Sequence, residues 1–432
     1  MGVNLVRLGG RGAPTLHSPR MRVRMLTVGS RGDVEPVLAL GSDLRSRGHD
    51  VVIATHERFR TAIEDRGVGF RILPGDPTAA LETTDAHRLI RTGPSLVRVI
   101  RRFARLLLPW FDELTVAAPA AVDDAELILY SPLASVGWHL GEAMGVPSAL
   151  LSLQPFQPTG EWSAVTMGGK DLGPPLNLLT HLVSQQLTWQ PLRRKVQSWR
   201  QDDLGLGPLP FLGPYSVLDH ERHPQLLGVS PAVVPPPPDW PPHVHVTGYW
   251  FLDPPSDWVP PDEVAAFLAE GPEPPLFVGF GSMTGVEDVA EQICRTALSL
   301  GYRIVTTAGA TPNNSVLPVE SIPHSWLFPR MAGVVHHGGA GTTAAVLRAG
   351  VPSLVIPMFA DQPFWARRVT FLGAGTTIPF REVDHESVGM ALGNLEAYRG
   401  RAGEVASIIA GEDGNRTAAD IIERSWLTGF GS

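Results

Sequence analysis

The stretch VVHHGGAGTTAAVLRAGVPSLVIPMFADQPFWARR, residues 334–368, runs through a strand, a glycine turn, a helix, a second strand and an acidic-amide pair. Val334 and Val335 read as a buried strand that breaks at Gly338, Gly339 and Gly341 into a helix capped by Thr342 or Thr343. A turn of this kind presents free backbone N–H groups at the positive end of a helix, which is an anion site. Its glycines let a phosphate come close to the main chain, and His337 adds a side-chain donor. The alternative reading is a glycine turn that serves tight packing alone. One element later, Asp361 and Gln362 place a carboxylate beside an amide.

The same strand–helix rhythm extends in both directions. RVRMLTV leads through a loop to a helix over 36–47, and DVVIAT follows as a second strand after the glycine stop at Gly48. ELILY (126–130) and PSALLSL (147–153) read as further strands. Between 154 and 242 prolines and tryptophans interrupt the pattern around one long helix over 177–200, and Pro235 to Pro238 mark the approach to a boundary. After Gly248 the rhythm returns with PPLFVGF, a helix over 286–300 and YRIVTT. The fold class is therefore α/β, with two doubly wound domains facing across a cleft and ligands expected beyond the carboxyl ends of the strands. The expected organisation is a disordered extension over 1–20, an N-terminal domain over 21–242, a C-terminal domain over 243–410, and a helix over 411–432 that can pack back on the first domain. Met21 stands directly before the first strand and is an alternative start.

The 432 residues suffice for two or three cores, and 43% hydrophobic with 18% charged residues is an ordinary globular composition. A formal charge of −8 argues against a nucleic-acid partner, which favours a basic excess. A single cysteine, Cys294, excludes an intrachain disulfide, and no Cys/His spacing suggests zinc, so a cytoplasmic chain without structural metal is expected. No apolar run reaches the ~20 residues of a membrane span. The segment RLIRTGPSLVRVIRRFARLLLPWF (88–111) carries six arginines among apolar residues; it reads as a packed amphipathic helix, with weak contact to an anionic membrane surface as the minor alternative.

Two loops complete the constellation. GSRGDVEP (29–36) puts Asp33 at a helix start, where it is either a cap or a catalytic carboxylate. GSMTG (281–285) offers Ser282 to a phosphate oxygen or to the next helix. Their common position at strand ends around one cleft raises the functional reading of both.

With GSRGDVEP, FGSM, SWLFPRMAGVVHHGGAGTT and FADQPFW, the chain from Met21 to about Glu423 resembles a GT-B glycosyltransferase. The family is the nucleotide-diphosphosugar-dependent one that includes plant and microbial small-molecule enzymes. Its bacterial branch of sterol glucosyltransferase-like and glycopeptide-antibiotic glycosyltransferases is the most similar. The resemblance implies that His337 contacts the donor diphosphate, with Gly339, Gly341 and Thr342 completing that site. Asp361 and Gln362 match the pair that hydrogen-bonds donor-sugar hydroxyls, which suits a neutral hexose. Trp326 resembles the aromatic residue at the nucleobase, although the plant Trp-x-Pro-Gln is here Trp-Leu-Phe-Pro-Arg. Where plant members carry Gly-His-x-x-Pro, this chain has Gly32-Asp33-Val34-Glu35-Pro36, so Asp33 replaces the histidine base.

The implied reaction is an inverting transfer of a hexose, glucose from UDP-glucose first and a TDP-deoxysugar second, to a hydroxyl of a hydrophobic sterol, polyketide or phenolic acceptor. Gln154 and Phe156 in QPFQPTGEW (154–162) are expected to line the acceptor pocket. No metal and no cofactor beyond the nucleotide sugar are implied. The rival readings are a lipid-intermediate hexosaminyltransferase of cell-wall synthesis, a nucleotide-sugar epimerase, and an inactive partner protein of the same fold.

Overall fold

The structure, a computed structural model, describes residues 20–75, 96–281, 283, 285–308 and 311–428, without the side chains of 96–107, 427 and 428. The expected extension, apart from Arg20, and the six arginines of the 88–111 segment thus lie outside what is described, as does Ser282.

Seven parallel strands form the first sheet: β1 (Arg22–Leu26), β2 (Asp50–Thr55), β3 (Gly69–Ile72), β4 (Leu127–Tyr130), β5 (Ser148–Ser152), β6 (Gln225–Leu227) and β7 (Val244–Val246), in the order β3-β2-β1-β4-β5-β6-β7. Six more form the second: β8 (Leu276–Gly279), β9 (Ile304–Thr306), β10 (Val316–Pro318), β11 (Gly333–His336), β12 (Ser353–Val355) and β13 (Gly375–Thr377), in the order β10-β9-β8-β11-β12-β13. The central strands are apolar runs buried on both faces, as helices on both sides of a parallel sheet require. Strand order reverses between β1 and β4 in one sheet and between β8 and β11 in the other. The crevices beyond the carboxyl ends of these pairs are the natural ligand sites.

Six helices matter below: α1 (Arg31–Ser46), α2 (Leu96–Val122), α3 (Pro174–Ser198), α4 (Ala340–Ala349), α5 (Gln362–Leu372) and α6 (Gly414–Thr428). Two sequence expectations move. The helix expected from residue 36 begins at Arg31, because Ser30 caps it and Asp33 at its third position accepts from Ser30; Pro36 stands inside. The domain boundary expected at 242/243 falls later, because β7 pairs in parallel with β6 and the chain leaves the first sheet only after Val246. The last helix crosses back: Ala418, Ala419 and Ile422 of α6 are buried in the first domain's core beside Val37, Leu38 and Leu44 of α1. Arg47 bonds Asp420 at 2.6 Å and Glu423 at 3.0 Å on the same seam. No described helix is long and apolar enough to cross a membrane.

Candidate active site

Asp33 sits where β1 turns into α1. Its Oδ2 accepts from the Ser30 N–H at 2.8 Å and from the Ser30 hydroxyl at 2.9 Å. Burial pushes its carboxyl above the usual carboxylate range, the nearby Asp361 charge adds to the rise, and the Ser30 bonds and Arg58 oppose it. Asp361 belongs to the second domain, so its charge reaches Asp33 from across the cleft. The domains also meet at Gly32 and Gly341, where a Cβ on Gly341 would stand 3.5 Å from the Gly32 Cα. Arg31 donates to the Ser321 hydroxyl at 2.8 Å on the same boundary.

The glycine turn follows β11. Gly338 takes a φ of +87°, which only glycine adopts freely, and Gly339 caps α4 with no side-chain hydrogen bond. The cap is therefore a glycine and neither threonine: Thr342 stands at the third helical position, and Thr343 is fully buried. The first N–H groups of α4 are left for a ligand. The His337 ring lies between Gly281, at the end of β8, and Gly339, whose added Cβ would come within 2.5 Å of His337 Nε2. Burial lowers the His337 pKa to about 4, so its imidazole is neutral at pH 7 and binds by hydrogen bonds. Its buried Nδ1 has no partner. An unspent polar atom beside an open helix end is a place for an anion's oxygen.

Asp361 caps α5 after Ala360, a non-glycine residue at φ +56°. Trp365, fully buried one turn later, donates its indole N–H to Asp361 Oδ2 at 2.8 Å. Gln154 from the first domain stands close enough to the Asp361 side chain to favour its charged form. Burial raises the Asp361 pKa, and the Trp365 bond and Gln154 oppose the rise. Gln362 is turned inward: its Oε1 accepts from the N–H groups of Met358 at 2.9 Å and Phe359 at 3.3 Å, and its amide N–H₂ donates to Met283 Sδ at 3.8 Å. It holds the loop that presents Asp361. The loop after β5 crosses to this helix, since Val165 and Trp162 pack with Phe364 and Trp365, and Phe156 is 42% exposed on it.

Asp33, His337, Gly339, Gly341, Asp361 and Gln154 are thus brought to one cleft, and Trp326 lines a cavity with Ser325, Arg330, Ala345 and Arg348. Its ring packs against Trp258 at 5.3 Å and under the Arg330 guanidinium at 4.3 Å. Two residues earlier, the His324 ring stacks on Phe328 at 4.3 Å, and its pKa is lowered to about 4 by burial and by the charges of Arg31 and His337. Sequence reading missed Ser321, which meets Arg31 across the domain boundary. Among the described residues no group of three or more His, Cys, Asp or Glu side chains could hold a metal ion.

Two facing α/β domains, with a glycine turn and an open helix end on one and a carboxylate on the other, define the GT-B class of glycosyltransferase. Residues 23–160 match the glycosyltransferase family 28 N-terminal domain, and residues 294–420 match the C-terminal domain of erythromycin biosynthesis protein CIII-like proteins. The chain is 36% identical over 419 residues to O-mycaminosyltylonolide 6-deoxyallosyltransferase of Streptomyces fradiae, covering 93% of this chain and 97% of that one. It is 32% identical over 441 residues to sterol 3-beta-glucosyltransferase of Cryptococcus neoformans, covering 94% of this chain but only 27% of the longer fungal protein. The crystal structure of the glycotransferase of kitacinnamycin superposes with a TM-score of 0.68 at 22% identity, covering 94% of this chain and 98% of that one. The chain belongs to this family of nucleotide-sugar-dependent glycosyltransferases.

Proposed function

We propose that the chain moves a hexose, with inversion, from a nucleoside diphosphate sugar to a hydroxyl of an apolar macrocyclic or polycyclic acceptor. Asp33 takes the acceptor proton, the acceptor oxygen forms a bond to the anomeric carbon, and the bond to the diphosphate breaks on the opposite face. His337 and the first N–H groups of α4 receive the departing charge, and Asp361 holds sugar hydroxyls. The observation that carries this reading is the meeting of the turn that holds Asp33 with the His337 glycine turn across the cleft, at Gly32 and Gly341.

The acceptor side is apolar. The first two turns of α3 bury Asn177 and His181 and expose Leu176, Leu178, Leu179 and Leu182, the reverse of a normal surface helix. Asn177 donates to the Gly160 carbonyl at 2.7 Å and His181 pairs with the Trp162 carbonyl at 3.0 Å, which docks these leucines beside the 154–167 loop. The names of the relatives point to a macrolide or a sterol, and to glucose or a 6-deoxyhexose as the sugar. Nucleotide sugars are made in the cytoplasm, where we place the reaction.

Incubation with UDP-glucose or TDP-6-deoxyhexoses and a set of macrolactones and sterols tests the proposal. The expected product is an acceptor carrying one hexose in β linkage from an α-linked donor, read by mass and by the anomeric proton coupling. Donor hydrolysis without acceptor glycosylation, or a product of retained configuration, contradicts it.

A further inference from the structure

The turn that carries Asp33 is gripped by a second loop. The Gly29 N–H donates to His56 Nε2 at 3.1 Å, and Arg58 Nη2 donates to the Gly29 carbonyl at 2.7 Å. Both backbone polar groups of one residue are therefore held by side chains from the end of β2. His56 is 4% exposed.

Gly29 takes a φ of +133°, and a Cβ built on it would stand 2.4 Å from Asp33 Oδ2. The carboxylate thus lies directly against the Gly29 backbone. Ser30 places both of its hydrogen bonds on Oδ2, and Oδ1 accepts none among the described residues. The oxygen left to take a proton is aimed by the turn, and the turn is fixed at Gly29.

We propose that His56 is a positioning residue for the base: by accepting the Gly29 N–H, it holds the turn that aims Asp33 Oδ1 at the acceptor hydroxyl. The inference rests on the reading of Asp33 as the base. Accepting through Nε2 requires an imidazole protonated at Nδ1 alone, so His56 works in its neutral form and is not itself a base. Misplacement of a reacting group by about 1 Å costs on the order of 10²-fold in rate, which sets the scale of the effect.

The test compares wild type, His56→Leu, His56→Gln and Asp33→Asn per folded molecule, with UDP-glucose as donor. His56→Leu removes the acceptor atom; the glutamine amide oxygen restores one at similar reach. Roughly 10–100-fold loss of kcat is expected for His56→Leu, with donor KM and UDP affinity unchanged and most of the rate recovered in His56→Gln. A purely structural role lowers the melting temperature and leaves turnover intact. The inference is overturned if His56→Leu turns over like wild type, or if His56→Gln is as slow as His56→Leu. A slow Asp33→Asn beside a normal His56→Leu removes this inference alone; a normal Asp33→Asn removes the base assignment beneath it. Should His56→Leu not fold, Arg58→Met at an exposed position releases the other side of Gly29: reduced kcat at constant KM on the high-pH plateau, where the lost charge no longer changes the ionisation of Asp33, supports the clamp, and wild-type kcat there overturns it.

Discussion

Asp33 and Asp361 each carry a raised pKa, and each has a polar partner that limits the rise. A base must be ionised, so turnover falls as pH drops through the Asp33 pKa, which burial and the Asp361 charge move upward. Removing that charge with Asp361→Asn lowers the Asp33 pKa, and the acid limb of the kcat/KM profile should shift to lower pH even as sugar binding weakens. An unmoved limb, or one moved upward, would show that the two carboxylates do not interact in the working enzyme. Asp33, His337 and Asp361 were legible in the sequence because strand ends and glycine turns fix where such residues stand. The helix His324–Leu327 advances about 100° per residue, so His324 and Trp326 point to nearly opposite sides, and a motif alone does not say which of the two faces His337. The inward turn of Gln362 was equally hidden, because it depends on the N–H groups of Met358 and Phe359 that the loop happens to present.

At the level of elements, the proposed anion site is made by helix ends. The first turns of α1 and α4 meet at Gly32 and Gly341, and each contributes the positive end of a helix dipole. With a neutral His337 beside them, these N–H groups can meet the charge of a departing diphosphate. Transfer should therefore persist in excess EDTA; loss of turnover on chelation, restored by Mg²⁺ or Mn²⁺, would place a cation in the site. The buried apolar strands β1, β4, β5, β8 and β11 stood out in the sequence as hydrophobic runs. The three- and four-residue strands β3, β6, β7, β10 and β13 did not, because segments such as Gln225–Leu227 and Val244–Val246 are too short to show a period. Missing β7 is what moved the expected domain boundary.

Over the whole molecule, the proposed chemistry is divided between domains while the fold ties them together. α6 starts beyond the second domain and inserts Ile422, fully buried, into the core of the first. Ile422→Ala should lower the stability of the first domain by about 2–5 kcal/mol, seen as an earlier denaturant midpoint, whereas an unchanged midpoint would mean that the helix is not docked in solution. The two-domain plan was visible in the repeated strand–helix rhythm; the return of the chain was only an expectation, since no local pattern records which distant helix a segment will cross. The division of labour gives the sharpest test. If the base stands on the first domain and the donor is held by the second, Asp33→Asn should separate turnover from donor binding. The measurement is kcat per folded molecule together with calorimetric affinity for the nucleoside diphosphate. The account predicts a loss of about 10²–10⁴ in kcat with affinity unchanged and the melting temperature retained. Near-normal turnover in an Asp33→Asn enzyme of lowered melting temperature would contradict it, and would leave Asp33 as a helix cap alone.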